Sequence, residues 1–198
     1  HLAQNGMDVV VLEANRVGWG ASGRNGGQIH SGQRQDPEWF EARYGKDAAK
    51  AYFAMGEDAK NLVHSLIATN EIDCDLKDGL LSAAHKSSYA PDYRQHVAHM
   101  NQNYDHPLSW LDQEEAAKRL GTNSYFGAIY DPTAGHLHPL KFALGLAEVA
   151  KKSGARIYEQ TKVSGISSGA ESVLKTEKGL ENDNEGSVEF KAFFFNNG

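Results

Sequence analysis

The stretch "VVVLEANRVGWGASGRNGGQ", residues 9–28, decides the reading of this chain. Val9, Val10, Val11 and Leu12 form a continuous apolar run rather than an alternating one, which predicts a strand over residues 8–13 buried on both faces of a parallel sheet. Glu13 ends that run. A carboxylate at the tip of a buried strand costs free energy unless a partner accepts its charge. Six glycines then fall between Asn15 and Gln33, a loop without periodicity in which the backbone can approach a ligand closely.

In dinucleotide-binding folds an acid at this strand tip takes both hydroxyls of the adenosine ribose. Glu13 is placed for that role, although an acid also ends parallel strands in ordinary α/β domains. The loop favours the first reading. Ser22 and Asn25 bring hydrogen-bonding groups, Arg16 and Arg24 bring positive charge for a pyrophosphate, and successive backbone N–H groups can form an anion nest. A plain flexible linker would not hold Trp19, two arginines and an asparagine among its glycines.

Working outward, Asp36 and Pro37 signal a helix start. In "KDAAKAYFAMGEDAKNLVHSLIATN" (46–70), Tyr52, Met55, Ala59, Leu62, Val63 and Leu66 repeat at helical spacing and predict a long amphipathic helix. "DGLLSAAHKSS" (78–88) reads as a strand with Asp78-Gly79 as the turn before it. Residues 90–104 and "DQEEAAKRLG" (112–121) read as helices, the second stopped by Gly121. Pro139 opens a further helix whose apolar face is Leu140, Ala143, Leu144, Ala147 and Ala150. Lys151 and Lys152 suit its last turn, and Gly154 stops it. "ARIYEQTKVSGISS", "ESVLKTEKG" and "SVEFKAFFFNN" read as strands, with the polar tip "KGLENDNEGS" between two of them. At the start, "HLAQNG" reads as the last turn of a helix stopped at Gly6. Both chain ends read as cut from a longer protein, with the glycine-rich phosphate loop expected upstream of His1.

With 23% charged and 40% hydrophobic residues and a net charge of −6, the composition is that of a soluble globular chain. It lacks the basic face of a nucleic-acid binder. No apolar run approaches the roughly 20 residues of a membrane span. Cys74 is the single cysteine, so no internal disulfide can form, and a reducing, cytoplasmic setting is expected. Its acidic neighbours in "EIDCDLK" disfavour a thiolate nucleophile. His136 and His138 in "GHLHP" read as loop and cap residues rather than metal ligands, His96 and His99 as solvated or packed, and the aromatics of "YFGAIYDP" as core. No metal site is expected.

The segment 9–28 resembles the second FAD-contacting segment of the D-amino-acid-oxidase-like flavoproteins, and within them the gamma-glutamylputrescine oxidases and their amine-oxidising relatives. "DPTAGHLHPLKFALGLAEVAKKSGARIYEQTKV" (131–163) is similar to the same family's Gly-x-x-x-Pro helix start and following strand. "AFFFNNG" (192–198) resembles the strand that ends in a turn against the cofactor, though it is bulkier and more polar than usual.

The resemblance implies an α/β fold: an incomplete FAD-binding Rossmann-like domain, residues 1–30 and 136–198, with an α+β substrate domain, 31–135, inserted. It implies that Glu13 holds the ribose, Ala14 lies beside the adenine, and the backbone of Val163 meets the adenine edge. Ala21, Ser22, Asn25, Gly26, Gly27 and Gln28 would wrap the pyrophosphate and approach the flavin. The activity implied is oxidation of a small-molecule amine to an aldehyde with molecular oxygen as acceptor, without nucleic acid or membrane. No residue is identified as a catalytic base. The alternatives are an oxidase or dehydrogenase of glycine, sarcosine or D-amino acids, or a flavin-free remnant without catalysis.

Overall fold

The computed structural model describes residues 1–167, 173–176, 187–189 and 194–196. Two compact units divide the chain: residues 1–26, 70–74 and 138–198 form the first, residues 27–69 and 75–137 the second.

The first unit is built on β1 (Val10–Glu13), the middle strand of a parallel sheet between β6 (Arg156–Tyr158) and β10 (Phe194–Asn196). Leu12 is in register with Tyr158 on one side and Phe195 on the other. Val10, Leu12 and Glu13 are buried, as the unbroken apolar run predicts, while Val9 and Val11 are half-buried. Val10 and Leu12 pack with Val163, Leu174 and Tyr158. Burying a valine or leucine contributes about 1.5–3 kcal/mol, so this small cluster anchors the sheet. Val163 opens an antiparallel meander, β7 (Val163–Ser167), β8 (Val173–Thr176) and β9 (Ser187–Glu189). Residues 178–186 of the expected polar tip, and the terminal residues 197–198, lie outside the described residues.

α5 (Pro139–Lys152) leads into β6. Its start is as expected: Pro139 occupies the first turn and the His138 ring accepts the Lys141 N–H at 3.3 Å. Its expected apolar face is a correction, because no α5 residue is fully buried and Leu140 and Leu144 are exposed. "HLAQNG" is a helical turn of 3-10 type, Ala3–Asn5, and Gly6 stops it in the left-handed conformation, as expected.

In the second unit β5 (Ala128–His136) is the spine. β3 (Lys77–Ala83) runs antiparallel along it, and β2 (Gln28–Ile29) and β4 (Ser109–Leu111) pair with different stretches of it. Gln28 and Ile29 therefore form a short strand where the sequence reads as loop. Asp78-Gly79 is a bulge inside β3 rather than a turn before it: the register shifts there, and Gly79, at φ +86°, brings its backbone against the Tyr130 ring.

α1 (Pro37–Tyr44) and α2 (Lys46–Thr69) are separated by Gly45 at φ +85°. Asp36 stands at the start of α1 without a side-chain cap bond. The buried stripe of α2 is Ala49, Phe53, Gly56, Lys60 and Ile67, whereas Tyr52, Met55 and Leu62 of the expected face are exposed. Two small residues and a lysine hide the true stripe from a count of large apolar side chains.

Phe53 packs with Val97 and Met100 of α3 (Ala90–Asn103), with Leu108 and with Ile129. α4 (Gln113–Leu120) packs Ala116 on Leu111 and Ala128. Gly121 is left-handed at φ +71°, as the sequence predicts, and at the other end Asp112 accepts the Glu115 N–H at 2.9 Å. Phe126 of the "YFGAIYDP" segment, expected in the core, is exposed. No described helix is long and apolar enough to cross a membrane.

Candidate cofactor site

In the first unit Glu13 sits at the carboxyl end of β1, 9% exposed. Its Oε1 accepts the Asn15 N–H at 2.8 Å, which fixes the carboxylate's direction. The chain beyond it is stapled to the residues that follow β6. The carbonyl of Glu13 accepts from Thr161 N at 2.8 Å, and that of Asn15 from Gln160 N at 2.6 Å. Glu159 Oε1 accepts from Val17 N at 2.8 Å. Asn15, Glu159 and Thr161 carry no sequence signal of their own. Each is joined to a partner that is near in space but more than 140 positions away in the chain.

Ala14 is half-buried beside Glu13, and Val163 is 7% exposed. Ala21, Ser22, Asn25 and Gly26 are exposed, on and just after the 3-10 turn Ala21–Gly23. The Asn25 amide donates to the carbonyls of Ala21 and Ser22 at 2.9 and 3.1 Å, so this side chain folds its own loop. Arg24 lies over the Trp19 ring, 4.6 Å from its centroid. Two glycines serve the loop's internal packing. A Cβ on Gly23 would run into the Gly18 carbonyl, and one on Gly18 would lie 2.7 Å from Leu140 of α5.

This half fits the adenosine end of a dinucleotide. A buried, oriented carboxylate at the tip of the middle strand of a parallel sheet is the group that accepts two ribose hydroxyls. Tight glycine packing after it leaves the small exposed side chains of Ala21 and Ser22 on the surface.

In the second unit Gly27, buried at φ +69°, precedes exposed Gln28. The Gly27 carbonyl accepts from Leu137 N at 2.8 Å, and Gln28 pairs with His136 in the β2–β5 ladder. Below this loop lies a polar cluster that the sequence reading missed. Lys60, 5% exposed, donates to Ser31 Oγ at 2.8 Å and Thr133 Oγ1 at 2.7 Å and pairs with Glu57 Oε2 at 2.7 Å. Asp131 accepts from Ser31, Thr133 and the backbone of Thr133 and Ala134, and lies 3.0 Å from Nε2 of the buried His106. Burial raises the Asp131 pKa, but the hydrogen bonds from His106, Ser31 and Thr133 outweigh it and hold the carboxyl well below the usual range. A cavity of about 150 Å³ adjoins the cluster, lined by His30, Gln33, Phe53 and His106 among others.

His96 and His99 are engaged rather than solvated. They pair with Glu38 and Glu41 of α1 at 2.8 and 3.0 Å, and Tyr104 donates to Glu41 at 2.7 Å. Among the described residues no His, Cys, Asp or Glu group has the arrangement of a metal site.

Comparison with known proteins agrees with this geometry. The family model described as FAD dependent oxidoreductase (DAO) matches residues 1–192. A "Probable oxidoreductase OrdL" of Rhizobium meliloti (strain 1021) is 42% identical over 181 residues, covering 90% of this chain and 42% of its own. The "Gamma-glutamylputrescine oxidoreductase" of Escherichia coli (strain K12) is 35% identical over 179 residues, with the same two coverages, 90% and 42%. The chain thus spans less than half the length of these relatives. Among solved structures, glycine oxidase from Geobacillus kaustophilus superposes with a TM-score of 0.72 at 24% identity, covering 98% of this chain and 50% of its own. L-Amino acid deaminase from Proteus myxofaciens does so at 0.69 and 23%, covering 95% and 39%. At these identities the likeness concerns the fold.

Proposed function

Because the chain belongs to the family of FAD-dependent oxidoreductases, we propose that it is the cofactor-holding part of an enzyme that oxidises an amine, with gamma-glutamylputrescine as substrate and molecular oxygen as acceptor. The observation that carries this reading is the buried, amide-held carboxylate of Glu13 at the tip of a parallel strand, in a chain 35% identical to an oxidoreductase named for gamma-glutamylputrescine. Residues 1–30 and 136–198 are assigned to the FAD-binding domain and 31–135 to the substrate domain.

Glu13 takes the two ribose hydroxyls and Ala14 lies beside the adenine, with the Val163 backbone on the adenine edge. Ala21, Ser22, Asn25, Gly26, Gly27 and Gln28 follow the pyrophosphate towards the flavin. When bound, FAD supplies the two-electron acceptor for a hydride from the carbon next to the substrate nitrogen. The chain's part is to bind and orient. Desolvation of the amine favours its neutral form, the form able to lose hydride.

The test is steady-state oxygen consumption and peroxide formation by the whole protein, compared as kcat/KM, the measure of discrimination between substrates. Gamma-glutamylputrescine is expected to exceed sarcosine, glycine and D-alanine. A lead of roughly tenfold or more for any of those three would move the substrate to amino acids and leave the cofactor reading standing.

A further inference from the structure

A lysine buried to 95% is an expensive residue unless its charge and all its donors are met. Lys60 meets that condition with three oxygens, Ser31 Oγ, Thr133 Oγ1 and Glu57 Oε2, all within 2.8 Å. The same cluster holds the chain just after Gln28 at several atoms. Ser31 donates to Asp131 Oδ2 at 2.7 Å while accepting from Lys60. The Gly32 N–H donates to Glu57 Oε1 at 3.2 Å. Glu57 Oε2 also stands 4.0 Å from His106 Nδ1, and the other ring nitrogen faces Asp131. Gly32, at φ +72°, lies so close to Phe53 that a Cβ would sit 3.0 Å from its ring, and a Cβ on Gly56 would enter the Gly32 carbonyl. One side of residues 27–32 is therefore fixed by the β5 ladder, through Gln28, Ile29 and the Gly27 carbonyl. The other side is fixed by charge.

An apolar core could fill the space below Ser31, and apolar replacements of buried ion pairs are often neutral or stabilising. Charge at this place sets direction: its bonds reach the hydroxyl of Ser31 and, through Glu57, the amide of Gly32, where apolar packing would accept many loop conformations. We propose that Lys60 is a positioning residue for the cofactor: with Glu57 and Asp131 it sets the course of residues 27–32, and so where Gly27 and Gln28 meet FAD. The proposal rests on the reading of Gly27 and Gln28 as FAD contacts.

The experiment uses the whole FAD-binding protein and the double variant Lys60→Met/Glu57→Gln, which removes both members of the ion pair and strands neither. Lys60→Met alone serves as the comparison, since it leaves Glu57 uncompensated. Thermal melting identifies folded protein. Amide hydrogen exchange of the FAD-free protein reads the loop, and FAD titration with the visible flavin spectrum reads the cofactor. The expected result for the folded double variant is exchange at residues 28–32 faster by roughly tenfold, with α3 unchanged, FAD affinity weaker by roughly tenfold, and a shifted flavin absorption band. Unchanged exchange at 28–32 overturns the role of Lys60, whatever happens to affinity. Faster exchange with unchanged affinity and spectrum overturns the link to FAD, and places the fault in the reading of Gly27 and Gln28. If neither variant folds, Lys60 is a residue of the core and the positioning role is overturned.

Discussion

Glu13 and Lys60 are both charged, both more than nine-tenths buried, and opposite in legibility. Glu13 interrupts a run of valines, so the sequence displays it. On the proposed role of Glu13 as the ribose acceptor, Glu13→Ala in FAD-binding protein should weaken FAD by about 2–4 kcal/mol, because two hydroxyl bonds to a charged acceptor would be lost together. Flavin mononucleotide, which has no adenosine, should bind both variants alike, and parallel titrations check this. Lys60 looks like any helix-surface lysine, because its partners are spread over residues 31, 57 and 133. Asp131 is equally silent in sequence and has a consequence for acid stability. Its folded pKa lies below the unfolded value of about 3.9. Between those two values the unfolded chain binds the extra proton, so stability rises with pH there. The contribution of Asp131 is fully present above the unfolded value and is lost as pH falls through the folded one. Asp131→Asn should flatten the dependence of unfolding midpoint on pH below about 4, and an unaltered slope in denaturant titrations would contradict the assignment.

Elements with capped ends were readable; elements defined by what they touch were less so. Gly121 stops α4, and His138 with Pro139 opens α5, since caps are local chemistry. The buried stripe of α2 was misread because Ala49 and Gly56 contribute by being small and Lys60 by being paired, so large apolar residues marked the wrong face. Gly56 gives the sharpest test. Alanine raises helix propensity by about 1 kcal/mol over glycine, yet a Cβ here enters the Gly32 backbone, which cannot step aside as a side chain tip can. Gly56→Ala should therefore destabilise by about 1–3 kcal/mol. Gly20→Ala is the control, because a Cβ there meets nothing within 4 Å, and should fall within about 0.5 kcal/mol of the parent. Urea unfolding of the two variants measures both. Of the loop glycines, which the sequence reading assigns to close approach of a ligand, Gly18 and Gly23 serve the loop's own closure and its seat on α5.

For the molecule as a whole, residues 70–74 show how far the fold departs from chain order. This short segment belongs to the first unit although the chain on either side of it belongs to the second. Cys74, 1% exposed, accepts the His138 N–H on its carbonyl at 2.7 Å, and Ile72 fills the space beside Gly145. As the single cysteine, Cys74 reports on this segment. Thiol reagents should modify it slowly in the native protein, and Ile72→Ala should speed labelling by roughly tenfold or more, since such truncations cost about 2–5 kcal/mol. Labelling as slow as in the parent would show that the segment is held elsewhere. The parallel sheet was legible as a strand with an acid tip, but not its neighbours, because pairing over long separations leaves no local trace. That separation matters on the ribosome. Val10 pairs with Arg156 and Val11 with Phe194, so at about 5–20 residues per second the apolar β1 waits on the order of 10–40 s for its partners. The second unit's strands and helices emerge complete during that interval. A nascent chain of this protein thus carries an unpaired valine-rich edge until its partner strands are made, and slowing elongation or depleting chaperones should raise its insoluble fraction before any mutation touches the finished fold.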